Sequence, residues 1–173
     1  MCIRDRPLQA VMLRALAFFF CASAGTSLLP LIVRGEMHGT AADFGLLLAA
    51  IGIGAVAGAT LLPRLRERIS RDRLVLLASL LYALFLLALA LVRNFYALLP
   101  AMLLSGAAWI AVLSNLQVAA QTSVPAWVRA RALSVYILIF FGAMACGGLL
   151  WGTLASHATV SYTHLTLPTT PYV

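Results

Sequence analysis

The chain has 173 residues, 63% of them hydrophobic and 10% charged, and its net charge of +7 comes from twelve basic residues, all arginine, against five acids. Soluble domains carry about 25% charged residues, so this composition excludes an ordinary water-soluble fold. A basic balance can mark a nucleic-acid binder, but these arginines punctuate apolar runs too long for a soluble domain, where they act as topology signals instead.

A bilayer core takes about 20 apolar residues per helix, and five runs satisfy that length. The first predicted helix, about 11–33, is "VMLRALAFFFCASAGTSLLPLIV". It carries Phe19, Ser23, Thr26, Ser27 and Pro30. The second, about 44–62, holds Gly45, Gly52, Gly54 and Gly58. Gly54 and Gly58 form a GxxxG pair, the spacing that lets two backbones approach closely. The third, about 74–92, is nearly pure Leu, Ala and Val, with only Ser79 and Tyr82 polar. A helix apolar on all sides can face lipid over most of its surface. The fourth, about 96–120, carries Pro100, Ser105, Trp109, Ser114, Asn115 and Gln117. The fifth, about 132–154, has a small-residue face of Gly142, Ala145, Gly147, Gly148 and Gly152. Helices are expected rather than barrel strands, because the runs are continuous and a barrel strand needs only about 10 alternating residues.

The expected architecture is therefore an all-α polytopic membrane bundle. The third helix lies outside, the second and fifth make tight contacts, and the first and fourth sit nearer something wet or polar. The glycine faces fit generic close packing or a moving domain interface. Asn115 and Gln117 fit hydrogen bonding between helices, worth about 0.6–2 kcal/mol each, or a polar patch facing a cavity. Phe19, Ser23 and Trp109 are the other candidates for lining such a cavity.

Orientation follows from the connections. Arg64, Arg66, Arg68, Arg71 and Arg73 crowd "PRLRERISRDR", Arg129 and Arg131 precede the fifth helix, and Arg14 lies near the start of the first. The opposite connections offer Arg34 and Arg93. The positive-inside rule then places the richer side, and the start of the first helix, in the cytoplasm. Trp127 is expected at the inner interface and Tyr96 and Trp151 near the outer one, as aromatic belts prefer.

No catalytic constellation is present. Glu36, Asp43, Glu67 and Asp72 all fall in connections or at helix ends, none deep in the membrane where an ionisable group would suggest function. His38 and His157 lack paired Cys or acid partners, so no zinc-type site is expected. No GxxxxGK[ST] phosphate loop occurs, and the glycines of the second helix follow no strand. Cys21 and Cys146 lie inside apolar runs and are expected to be small buried fillers. Neither a cofactor nor enzymatic activity is expected.

The two ends differ from the body. Met1–Arg6 can be written ATG TGT ATA AGA GAC AGx, whose reverse complement encodes Thr-Val-Ser-Tyr-Thr-His, the residues at 159–164. One DNA element read from both strands thus accounts for both ends, and it resembles a transposon end used in sequencing-library adapters. The adapter's continuation accounts for Leu165 to Thr169, and a short index followed by GTG TAG accounts for the remainder and the stop. Residues 1–6 and 159–173 are accordingly expected to be adapter-derived, and such segments are excluded from fold reasoning. The signal-like "MCIRDRPLQAVMLRALAFFFCASAG" is then spurious, and residues 7–158 form the native part.

"FGLLLAAIGIGAVAGATLLPRLRERISRDRLV" followed by "VPAWVRARALSVYILIFFGAMACGGLLWGTLA" resembles the C-terminal half of a major facilitator superfamily transporter. More narrowly, it is similar to the bacterial exporter branch that includes the enterobactin exporter and many drug exporters. "PRLRERISRDR" resembles a degenerate form of that family's Gly/Asp/Arg loop, with the Gly and the first Asp absent. The resemblance implies that the five helices are the seventh to eleventh of twelve. It also implies that the first and fourth line the central cavity, the second and fifth flank the domain interface, and the third faces lipid. Transport by rocking of two halves around a midplane site is what such a fold supports. The resemblance further implies a secondary active exporter of small molecules in the bacterial inner membrane. Its partners would be the bilayer, the missing N-terminal half and a small-molecule substrate, without nucleic acid. A non-transporting scaffold and, more remotely, a polytopic membrane enzyme are the alternatives.

Overall fold

The structure is a computed structural model that describes the backbone of residues 6–35, 40–92 and 94–165, and the side chains of 8–35, 40–92 and 94–157. Five long helices follow one another: α1 (Arg6–Gly35), α2 (Ala41–Arg68), α3 (Arg71–Leu91), α4 (Phe95–Thr122) and α5 (Arg129–Leu165). A 3-10 turn, Ala126–Val128, leads into α5. No strand occurs among the described residues, and all five helices are long and apolar enough to cross a membrane. Only such closed hydrogen-bonding elements can span lipid, because the hydrocarbon offers no partner for a free N–H or C=O.

Each helix extends beyond its apolar run. The clearest departure from the sequence expectation is "PRLRERISRDR", which is mostly helical: α2 continues through Pro63 to Arg68, and α3 begins at Arg71. Proline removes one backbone donor, but the following Leu, Arg and Glu are good helix formers, and Arg66 is tied to α4 as described below. Only Ile69 and Ser70 remain between the two helices. At the other end, α2 starts with a capping box. The Thr40 side chain accepts from the Asp43 N–H at 3.3 Å, and the Thr40 N–H donates to the Asp43 carboxylate at 2.7 Å. Asp43 is thereby a capping residue. Glu36, His38 and Arg93 lie outside the described residues, as do 1–5 and 166–173. The segments expected to be adapter-derived therefore fall largely outside the described residues, although the backbone of α5 runs without a break to Leu165.

The principal packing partners are α2 with α4, α1 with α5, and α3 with α4. α4 is the hub, burying Leu98, Met102, Ala108, Val112, Leu116 and Ala120. α3 shows how an unpatterned sequence acquires two faces. Leu74, Ala78, Tyr82, Phe85 and Leu89 form a buried stripe at helical spacing, while Leu76, Leu77, Leu80, Leu84, Leu87 and Leu91 are exposed on the other side. In a membrane protein an exposed leucine faces lipid at no cost, since lipid tails are as apolar as leucine.

That same rule corrects the reading of the cysteines. Cys21 and Cys146 are exposed on the helix surfaces rather than buried, because in this setting an apolar neighbourhood in sequence does not imply an interior position. Trp127 and Tyr96 are 78% and 80% exposed near helix ends. Trp151 is half-buried, and its indole N–H donates to the Phe20 carbonyl at 3.2 Å across the α1–α5 seam.

Candidate functional site

The two main seams use one device. On the α2–α4 seam, a Cβ placed on Gly54 would overlap the Leu103 carbonyl, and one on Gly106 would overlap the Ile51 carbonyl. A Cβ on Gly58 would lie 2.7 Å from Ala107 Cα. On the α1–α5 seam, a Cβ on Gly147 would meet the Ser23 hydroxyl and lie 2.6 Å from the Phe20 carbonyl. Without a hydrophobic force between helices in lipid, such close backbone approach supplies the attraction through dispersion and short polar contacts. Gly54 and Gly58 thus pack inside this bundle. Gly142 has nothing within 4 Å of its would-be Cβ, and at Gly148 the Ser27 hydroxyl is 3.6 Å away. Gly106 was not singled out from the sequence, although the small run Ser105-Gly106-Ala107-Ala108 on α4 was the available signal.

An aromatic cluster joins four helices at the centre. Phe19 is 0% exposed, with ring centroids 4.5 Å from Phe140 and 5.5 Å from Trp109, both edge-to-face. Phe18 lies 5.4 Å from Tyr82, which in turn lies 5.9 Å from Trp109. The Tyr82 hydroxyl donates to the Ala22 carbonyl at 3.2 Å, so the large polar group in the middle of α3 is satisfied by α1. Edge-to-face pairs of this kind contribute about 0.5–1.5 kcal/mol each beyond their buried area.

The candidate cavity residues separate into two groups. Phe19 is enclosed in the aromatic cluster. Ser23 is 1% exposed, and its hydroxyl donates to the Phe20 carbonyl at 2.7 Å. Neither faces an opening, and Ser105 is similarly enclosed, donating to the Met102 carbonyl at 2.7 Å. Short hydroxyl side chains satisfy themselves on the preceding turn, which sequence polarity alone does not reveal. Trp109 and Gln117 remain partly exposed on α4.

Asn115 is 1% exposed yet fully engaged. Its amide N–H₂ donates to the Ala111 carbonyl at 2.7 Å, and its Oδ1 accepts from Arg66 Nε at 3.0 Å. Arg66 therefore does more than mark topology: it is a half-buried strap from the end of α2 to α4, with its Nη2 buried and unpartnered. The remaining arginines of this region, Arg64, Arg68, Arg71, Arg73, Arg129 and Arg131, are exposed at the same end of the bundle. Arg14 pairs with Asp72 at 2.8 Å across α1 and α3. Both partners are more than half exposed, so this pair contributes at most about 1 kcal/mol.

Asn115→Leu removes the acceptor of a charged donor and is expected to cost about 2 kcal/mol. Asn115→Asp keeps an acceptor for Arg66 but sets an oxygen in place of the amide donor against the Ala111 carbonyl, and is expected to recover only part of that loss. Helicity followed through a dodecyl sulfate titration reads both, and an Asn115→Leu chain as resistant as the wild type would show that the strap does not stabilise the bundle.

The sequence profile of the family described as transmembrane secretion effector matches residues 3–169. No curated protein and no solved structure matches the chain. The matched span takes in all five membrane-crossing helices, and a multi-pass membrane protein with a transport function follows. The chain belongs to the transmembrane secretion effector family of the major facilitator superfamily.

Proposed function

We propose that this chain is part of a secondary active exporter of small molecules, of drug or siderophore type, driven by an ion gradient. It would sit in a bacterial inner membrane with the arginine-rich helix ends, and the start of α1, in the cytoplasm. The family match carries the reading, and the collection of arginines at one end supports the orientation through the positive-inside rule.

The packing pattern supports an incomplete half. Exchanging α1 with α4 and α2 with α5 maps the α2–α4 seam onto the α1–α5 seam, the relation expected of a nested inverted repeat. On the same exchange, the α3–α4 seam requires a further helix against α1. A second half would then complete the central cavity, with Trp109 and Gln117 its candidate lining on this side. The glycine face of α5 around Gly142 would be free to meet that half.

Expression in a bacterial strain lacking drug efflux tests the reading with ethidium as the probe. The chain alone is expected to leave ethidium accumulation unchanged, and restoring the complementary helices is expected to lower it. Efflux by residues 1–173 alone would overturn the incomplete-half reading. A non-transporting helix bundle is the rival, favoured by the enclosure of Ser23, Ser105 and Asn115. In a background with Cys2, Cys21 and Cys146 replaced by serine, a cysteine substituted for Gln117 is expected to react with a water-soluble maleimide in the complete transporter. One substituted for Ser23 is expected to stay protected. Protection at both positions would favour the bundle.

A further inference from the structure

Between the first turns of α1 and the start of α5, at the arginine-rich end, lies a groove of about 480 Å³. Its walls are Leu8, Met12 and Leu16 on one side and Val128, Val135 and Ile139 on the other. Two side chains stand at its mouth: Arg131, which is exposed, and Trp127, 78% exposed. The combination is chemically specific. Apart from Gln9 the walls are apolar, suited to an acyl chain. The mouth lies where a bundle of membrane-crossing helices meets the headgroup region, the depth at which tryptophan rings settle.

Among the described residues, Arg131 and its neighbour Arg129 have no carboxylate partner, the ion pair there being Arg14–Asp72. No described acidic residue lines the groove. Basic pockets between transmembrane helices recognise acidic headgroups for this reason, since the phosphate is held at short range while the acyl chains keep it at the correct depth. A zwitterionic lipid fits the same walls but brings its own cation to the arginine, and a soluble phosphate meets the arginine without filling the walls.

We propose that the α1–α5 groove is a binding site for one anionic phospholipid, its acyl chain against Leu8, Met12, Leu16 and Val135 and its phosphate on Arg131. The site is separate from the α2–α4 strap of Arg66 and Asn115 and from the partly exposed Trp109 and Gln117. Its test on this chain is therefore separate from the ethidium and maleimide tests of the transport reading.

The test uses the full chain in nanodiscs of phosphatidylcholine, with a minor fraction of phosphatidylglycerol or phosphatidylcholine carrying brominated acyl chains. Bromine quenches a tryptophan in contact with it, and the difference between the wild type and Trp127→Phe isolates the signal of Trp127. Brominated phosphatidylglycerol is expected to quench about fivefold more effectively than brominated phosphatidylcholine, the discrimination one arginine supplies at a membrane surface. Arg131→Gln is expected to abolish the preference and Arg131→Lys to keep most of it. Millimolar glycerol phosphate is expected not to compete, which separates a whole lipid from a free phosphate. Equal quenching by the two lipids in the wild type would overturn the proposal, as would a preference that survives Arg131→Gln. Weak quenching by both lipids that falls further as the protein-to-lipid ratio rises would mean that a second copy fills the groove, and would overturn it too.

Discussion

Gly54→Leu is expected to separate α2 from α4 and cost the bundle about 3 kcal/mol or more. The obstacle is backbone rather than a flexible side chain, since the first added carbon already overlaps the Leu103 carbonyl. Helix α4 must therefore move as a rigid body, losing the Gly58–Ala107 and Gly106–Ile51 contacts along the same seam. The informative control is Gly52→Ala, two residues away, where an added carbon meets nothing within 4 Å. There the substitution is expected to be neutral or mildly stabilising, because alanine exceeds glycine in helix propensity by up to about 1 kcal/mol. Helicity during dodecyl sulfate titration separates the two, and equal resistance of both variants would show that the seam is not held by close backbone approach.

Phe19→Ala is expected to have the second large effect, about 3 kcal/mol, the low end for deleting a buried phenylalanine. The effect falls at the low end because transfer to lipid removes most of the usual hydrophobic contribution. The loss of edge contacts to Phe140 and Trp109 remains. So does the cavity left at a position with no exposure. Leu84→Ala, on the lipid-facing stripe of α3 and 60% exposed, removes a similar apolar group and is expected to change stability little. The same titration reads both, and comparable effects at the two positions would mean that the aromatic cluster contributes no more than an ordinary lipid contact.

These two contrasts mark the boundary of what the sequence carries. That Gly54 lies in a close-packing motif is legible from its spacing to Gly58. That the partner is α4, and that Gly106 answers it from the other side, is not, because small residues are common in membrane helices and nothing local says which helix they will meet. The polar residues show the reverse. Ser23 and Asn115 stand out in an apolar sequence and fit either a cavity lining or bonds within the bundle. Ser23 bonds to the preceding turn, and Asn115 bonds both to its own helix and to Arg66 on α2. Polarity in lipid demands a partner, and the partner's identity is a tertiary fact.

The length and continuity of the apolar runs by themselves determined helices rather than barrel strands, five of them long enough to cross a membrane, because lipid leaves the backbone only a helix or a closed barrel to satisfy its hydrogen bonds and barrel strands are short and alternating. Only the tertiary structure decided which faces meet. It turned α3 so that Tyr82 is buried while six of its leucines face out, carried α2 through Pro63 to place Arg66 against Asn115, and left Cys21 and Cys146 exposed. The physical reason is that in a uniformly apolar sequence the hydrophobic pattern carries no directional signal. Helix orientation is then set by backbone approach at glycines and by the few polar groups that must find each other.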